Sequence, residues 1–181
     1  GAARAYEHQC SPPICAANIR VRSRRQQYLH DVEVPSVGGK HHRAEVVGLA
    51  CVNGDAHVEE LAALEVANSG HPIGSARWEA GHVRDVLQFY AGSPERLSGK
   101  QIPVAGGLDV TFNEPLGVVG IITPWNFPMT IAAWGFAPAL AAGNAVLVKP
   151  AEWTPLTTLR LGELAVEAGL PADLLCVLPG A

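Results

Sequence analysis

Charge is scarce in this sequence. Lys, Arg, Asp and Glu supply only 17 % of its 181 residues, and aromatic residues 6 %. With 48 % hydrophobic residues beside them, that scarcity excludes a disordered tail or a charged helical rod. The formal net charge is -4, so the chain lacks the basic footprint that nucleic acid demands. Cysteine is also short: four thiols at this length staple no disulfide scaffold, and their spacing makes no zinc repeat. No basic segment followed by an apolar one opens the chain, so no signal peptide is expected. The first residue is Gly rather than Met, and a fragment is therefore one reading of the sequence. Gly-x-Gly-x-x-Gly, the P-loop, Gly-x-Ser-x-Gly and His-Glu-x-x-His are all missing, which removes the short motifs of several enzyme classes.

What is there divides unevenly. Residues 1–57 carry seven Lys/Arg against five Asp/Glu, whereas residues 58–181 carry six against twelve. The cluster Arg20, Arg22, Arg24 and Arg25 has no aromatic ladder beside it, so a solvated leader is expected rather than a basic arm. Residues 30–37 alternate like a short strand, ending at Gly38-Gly39. His8, Cys10, Cys15, His41 and His42 follow no recognised metal spacing, and no metal site is expected of them.

From residue 58 the pattern sharpens. Glu59 to Asn68 reads as a helix with Leu61, Leu64 and Val66 on its apolar side and Gly70 as its stop. His71-Pro72 forces a turn. Arg77 to Ala91 reads as a second helix burying Trp78, Val83, Val86, Leu87 and Tyr90. His82 on it is expected to be an ordinary surface or core histidine. Ile102-Pro103-Val104 and Leu108 to Asn113 then read as two strands joined by a turn at Gly106-Gly107.

Between Glu114 and Lys149 lie 34 residues without a charged side chain. That length alone would span a membrane. Pro124, Pro128, Pro138, Gly120, Gly143 and Asn144 interrupt it, so a buried core is expected instead. Gly117 to Thr123 reads as a strand covered on both faces. Thr130 to Ala142 reads as an apolar helix bent by Pro138 and stopped by Gly143, and Ala145 to Val148 as a second strand. Thr154 is placed as the cap of a third helix, with Pro155 in its first turn and Leu156, Leu159, Leu164, Ala165 and Ala168 on its buried face. That helix stops at Gly169, and Leu174 to Leu178 follows as a third strand. Strand, helix, strand, helix, strand predicts two right-handed crossovers and a parallel sheet. Ligands of such sheets bind beyond the strands' carboxyl ends. There lie Pro124-Trp125-Asn126-Phe127 and Lys149-Pro150-Ala151-Glu152. Read as residues alone, Asn126 serves equally as a turn cap, and Lys149 and Glu152 as solvated surface.

Three motifs in order carry a resemblance. Glu114-Pro115-Leu116-Gly117-Val118-Val119-Gly120-Ile121-Ile122-Thr123-Pro124-Trp125-Asn126-Phe127-Pro128 resembles the opening of the nucleotide-binding domain of aldehyde dehydrogenases. Ala137-Pro138-Ala139-Leu140-Ala141-Ala142-Gly143-Asn144 and Val148-Lys149-Pro150-Ala151-Glu152 are similar to later motifs of that family. The likeness runs from about residue 60 to the end. It implies an α/β fold: an incomplete doubly wound, Rossmann-like parallel sheet of aldehyde dehydrogenase type, preceded by helices and a β-hairpin. It also implies a division into an unmatched leader (1–57), a helical part (58–98), a hairpin of oligomerisation type (99–116) and a partial nucleotide-binding part (117–181).

The family oxidises an aldehyde through a cysteine thiohemiacetal and hydride transfer to NAD(P)+. By resemblance, Asn126 is the oxyanion-hole asparagine. Lys149 and Glu152 hold the adenosine ribose, while Ile122, Thr123, Pro124 and Trp125 line the nicotinamide side. A carboxylate at 152 repels a 2′-phosphate, so NAD is expected over NADP. The resemblance places the nucleophile and general base beyond residue 181, so the 181 residues alone are expected to be inactive; a non-catalytic remnant or interaction protein derived from the family is the alternative reading. Cys176, inside an apolar strand, is expected to be inert packing, and Cys51 has no family motif around it. A small aldehyde as substrate, a homo-oligomer, no nucleic-acid or membrane partner and a cytoplasmic location complete the expectations.

Overall fold

The structure is a computed structural model and describes residues 55–180. The strand over 30–37, the arginine cluster and the His8/Cys10/Cys15/His41/His42 set lie outside the described residues.

Two helices open the described part. Helix α1 spans Asp55–Ser69 and α2 spans Ile73–Ala91. Between them Pro72, with ψ of 143°, holds the chain extended as it enters α2. The buried residues of α2 are Ala76, Glu79, Ala80, Val83 and Leu87, spaced three or four apart as one helical stripe. Trp78 falls off that stripe. It is 61 % exposed and stacks instead on His82, one turn along the outer face, with centroids 5.2 Å apart. The sequence reading had placed it on the buried face of its helix; the buried stripe runs past it instead. Val66 is likewise exposed on α1, where the fully buried positions are Leu61, Ala62 and Glu65.

After a short 3₁₀ turn at Ser93–Arg96, β1 (Gln101–Val104) and β2 (Gly107–Val110) pair antiparallel, with Ile102 opposite Asp109. Every residue of this hairpin is exposed. Leu108 and Val110 face solvent, as does Phe112 just beyond β2.

The sheet that organises the rest is parallel, in the order β3-β4-β5. Strand β3 is Val118–Ile122, β4 is Ala145–Lys149 and β5 is Leu175–Val177. Helices α3 (Pro128–Ala141) and α4 (Leu156–Glu167) make the two crossovers. Successive right-handed crossovers in one direction lay both helices on the same face. On that face Val146 and Val148 are buried, beside Val119, Ile121 and Leu175 in register. The close approach is visible at Gly135, where a Cβ would lie 2.8 Å from Ile121 Cδ1. The opposite face is open: Val118 and Ile122 point out of it, Ile122 at 81 % exposure. The sequence reading had β3 covered on both sides. Among the described residues only one layer of helices covers it.

The helix stops follow the expected chemistry. Gly143, one residue past the cap of α3, has φ of +85°, a backbone setting that side chains disfavour. Asn144 then turns inward. Its Oδ1 accepts from the Gly117 amide at 3.0 Å, and its Nδ2 donates to the Ala139 carbonyl at 3.0 Å. This buried side chain fixes the end of α3 against the start of β3.

The start of α4 departs from expectation. Pro155, not Thr154, stands at its N-cap, and no side chain from the adjoining residues caps it. Asn68 of α1 does so from a distance: its Oδ1 accepts from the Leu156 amide at 3.0 Å, and its Nδ2 donates to Thr157 Oγ1 at 3.0 Å. The buried residues of α4 are Thr157, Thr158, Leu161, Gly162, Leu164 and Ala165, so Leu156 and Leu159 sit half-buried at its margin.

Arg160 of α4 makes a second tie to α1. It donates to Glu60 Oε1 at 2.6 Å, and to Glu163 and Glu167 on its own helix. The Arg160 hydrogen bond holds the Glu60 carboxyl below its usual range. A carboxylate with a depressed folded pKa stabilises above its unfolded pKa, and the contribution disappears as pH falls through the folded value. Acidification from about pH 6 to about pH 3 is therefore expected to cost this tie, by under about 1 kcal/mol for so exposed a pair. Urea titrations of the wild type and Arg160→Leu check it: the variant should have a shallower acid loss, and identical slopes would remove the assignment.

Candidate functional site

The carboxyl ends of β3 and β4 lie side by side because Ile122 pairs with Lys149 in register. The Thr123 amide continues the ladder, donating to the Lys149 carbonyl at 3.1 Å. Two loops leave this edge: 123–127 before α3, and 150–155 before α4. The hydroxyl of Thr154 joins them by donating to the Trp125 carbonyl at 3.3 Å. The residue read as a helix cap is thus a brace for the loop that carries Asn126.

Asn126 is exposed on that loop. The residue at the N-cap of α3 is Phe127, and no side chain caps the helix. Asn126 therefore does not cap α3, and it is exposed to solvent. Trp125 is exposed beside it, as is Trp153 across the loop pair. These tryptophans are rim residues rather than core. Thr123 is the exception in this group: it is buried, and its Oγ1 has no hydrogen-bond partner.

Lys149 is half-buried at the end of β4. Its Nζ donates to the Gly180 carbonyl at 2.8 Å and to the Pro150 carbonyl at 3.3 Å. Glu152 is exposed three residues on, in the turn before α4. The topology thus brings Ile122, Thr123, Pro124, Trp125, Asn126, Lys149 and Glu152 to one edge of the sheet. An ammonium donor, a carboxylate acceptor, exposed apolar side chains and an unsatisfied hydroxyl share that edge. Such a donor set suits a ligand with sugar hydroxyls and flat apolar rings.

Cys176 lies on β5 at the margin of the core, its Sγ 3.8 Å from the Ala172 carbonyl. Sequence reasoning missed a further feature. Trp134 Nε1 donates to His82 Nε2 at 2.9 Å, and Trp78 stacks on the same imidazole. The i, i+4 spacing of Trp78 and His82 was the available signal. Pairing with α3 was invisible in one dimension. No described helix is long and apolar enough to cross a membrane.

Known proteins share this arrangement. A profile described as the aldehyde dehydrogenase family matches residues 40–181, reaching further toward the N-terminus than the three motifs do. Omega-crystallin of Enteroctopus dofleini is 46 % identical over 121 residues, 66 % of this chain and 24 % of the relative. Aminoaldehyde dehydrogenase 2, peroxisomal, of Pisum sativum is 45 % identical over 126 residues, 67 % of this chain and 25 % of the relative. The chain thus spans about a quarter of the length of these curated relatives. Among solved structures, PnpE in complex with nicotinamide adenine dinucleotide superposes with a TM-score of 0.75 at 38 % identity, over 81 % of this chain and 30 % of that one. Motifs, parallel-sheet topology and profile agree: the chain belongs to the aldehyde dehydrogenase family.

Proposed function

We propose that these residues form the leading part of the nucleotide-binding unit of an NAD(P)-dependent aldehyde dehydrogenase. The observation that carries the reading is the shared carboxyl edge of β3 and β4, where Lys149 ends β4 and Asn126 and Glu152 lie on loops braced to one another. The nicotinamide cofactor, when bound, supplies the hydride acceptor. Lys149 and Glu152 hold its adenosine ribose, with Glu152 accepting from the sugar hydroxyls. Ile122, Thr123, Pro124 and Trp125 form the nicotinamide wall. The side-chain amide of Asn126 donates to the aldehyde oxygen as negative charge gathers there, the task of an oxyanion-hole donor. The PnpE complex with nicotinamide adenine dinucleotide supports this choice of cofactor.

The nucleophilic cysteine and general base are assigned to parts of the enzyme outside these 181 residues. A polypeptide limited to them is expected to show no turnover. The solvent-facing apolar hairpin β1–β2 is read as an oligomer contact of the whole enzyme, since an isolated two-stranded ribbon is marginal in water. The substrate class is an aldehyde, and the compartment proposed is the cytoplasm; the pea relative is named peroxisomal, and cell fractionation separates the two.

Glu152 tests the cofactor half of the proposal. In the complete enzyme Glu152→Gln is expected to shrink the preference for NAD+ over NADP+ about tenfold, because a neutral amide no longer repels a 2′-phosphate. The ratio of kcat/KM for the two cofactors is the measurement. An unchanged ratio would remove the ribose assignment.

A further inference from the structure

Away from the sheet edge, three groups that bear charge or bind metals converge where α1 passes into α2. Glu65 comes from the last turn of α1, His71 from the connection and Glu79 from α2. One ligand-type atom from each lies within 4.8 Å of the others. Both carboxylates are fully buried, at 0 % exposure.

Their bonding is incomplete. His71 Nδ1 meets Glu79 Oε1 at 2.5 Å, and Glu65 Oε2 receives only a long bond, 3.4 Å, from Asn68 Nδ2. Glu65 Oε1 and Glu79 Oε2 have no hydrogen-bond partner at all. No lysine or arginine among the described residues pairs with either carboxylate. Burial pushes the Glu79 carboxyl above its usual range, as a low-dielectric interior penalises carboxylate oxygens left without partners. A divalent cation with a neutral imidazole brings the cluster to zero net charge.

We propose that Glu65, His71 and Glu79 form a binding site for a divalent transition metal of zinc type, tying α1 to the start of α2. One imidazole nitrogen and two carboxylate oxygens are ligands that Zn2+ accepts, at about 2.0–2.2 Å from the ion. The fourth position is open to water, because His71 and Glu79 border a cavity of about 570 Å³ shared with Ser75, Trp78 and Phe127. That cavity is also the entry path. His71 is turned toward the ligand set by its ring contact with Phe127, 5.2 Å between centroids. An ion on Nδ1 takes the place of the hydrogen bond between His71 and Glu79, and the neutral ring then carries its proton on Nε2. This site does not depend on the cofactor assignment above.

Cobalt is the probe. The complete protein, stripped with chelator and titrated with Co2+, is expected to take up one ion per chain with the visible bands of a low-coordinate N/O site, and one equivalent of Zn2+ should displace it. Glu79→Gln is expected to weaken uptake at least tenfold. His71→Lys is the companion that survives if Glu79→Gln fails to fold: it returns positive charge to the carboxylates but offers a protonated amine in place of a ligand. Its far-UV circular dichroism should match the wild type while the cobalt bands vanish. Wild-type protein that takes up no stoichiometric Co2+ overturns the proposal. So does undiminished uptake by His71→Lys, which would mark the binding as adventitious.

Discussion

Asn126→Ala in the complete enzyme is expected to lower kcat by about 10²–10³-fold, some 3–4 kcal/mol of barrier, while the NAD+ dissociation constant stays within about twofold. The asymmetry follows from where the amide sits. Asn126 lies on a loop that is braced without its help, by the Thr154 hydroxyl on the Trp125 carbonyl and by the Thr123 amide on the Lys149 carbonyl. Removing its side chain leaves those bonds in place, so the cofactor edge keeps its shape. In the proposed role, what disappears is a donor directed at charge that exists only as the aldehyde is attacked. Uniform binding is untouched, and the loss appears in kcat and kcat/KM together. Steady-state kinetics beside a fluorescence titration of the cofactor separates the two effects. Equal losses in turnover and cofactor affinity would assign Asn126 to the shape of the loop instead.

The second large effect concerns the frame behind that edge. Asn144→Ala is expected to cost about 2 kcal/mol of stability, because it removes the acceptor of the Gly117 amide along with a donor to Ala139. The two losses are unequal. The Ala139 carbonyl still accepts from the Asn144 backbone amide at 3.0 Å, whereas Gly117 N–H loses its partner at the point where β3 begins. A fall of about 4–8 °C in Tm is the corresponding thermal shift for a chain of this size. Calorimetry or denaturant titration checks it, and a loss under about 0.5 kcal/mol would show that water replaces the side chain without penalty.

Much of this arrangement was legible in one dimension. Gly143 and Gly169 read as helix stops and occupy left-handed backbone, at φ of +85° and +95°. The apolar, charge-free stretch resolved into β3, α3 and β4 because prolines and glycines divide it at spacings no membrane helix tolerates. Asn126, Lys149 and Glu152 were locatable because each follows the end of a predicted strand. The failures share a cause. Trp78 was placed on the buried face of its helix, yet the phase of α2 relative to α3 points it outward. Thr154 was placed as a cap by its type, yet Asn68, 86 residues earlier in the chain, takes that task and frees the hydroxyl to brace a loop. No sequence pattern singled out Glu65 and Glu79, and both are buried.

By itself, then, the sequence determined the order of elements, the parallel crossover topology and the family. Those properties follow from local periodicity, from backbone restrictions at Gly and Pro, and from motifs that are contiguous in the chain. Only the tertiary structure decided which side of each element meets the core, since helical phase depends on a partner hundreds of atoms away along the chain. It alone revealed that α3 and α4 cover a single face of the sheet, that Asn68 caps a distant helix, and that Glu65, His71 and Glu79 converge. Contacts across such separations leave no spacing rule in the sequence; they exist only once the chain has closed on itself.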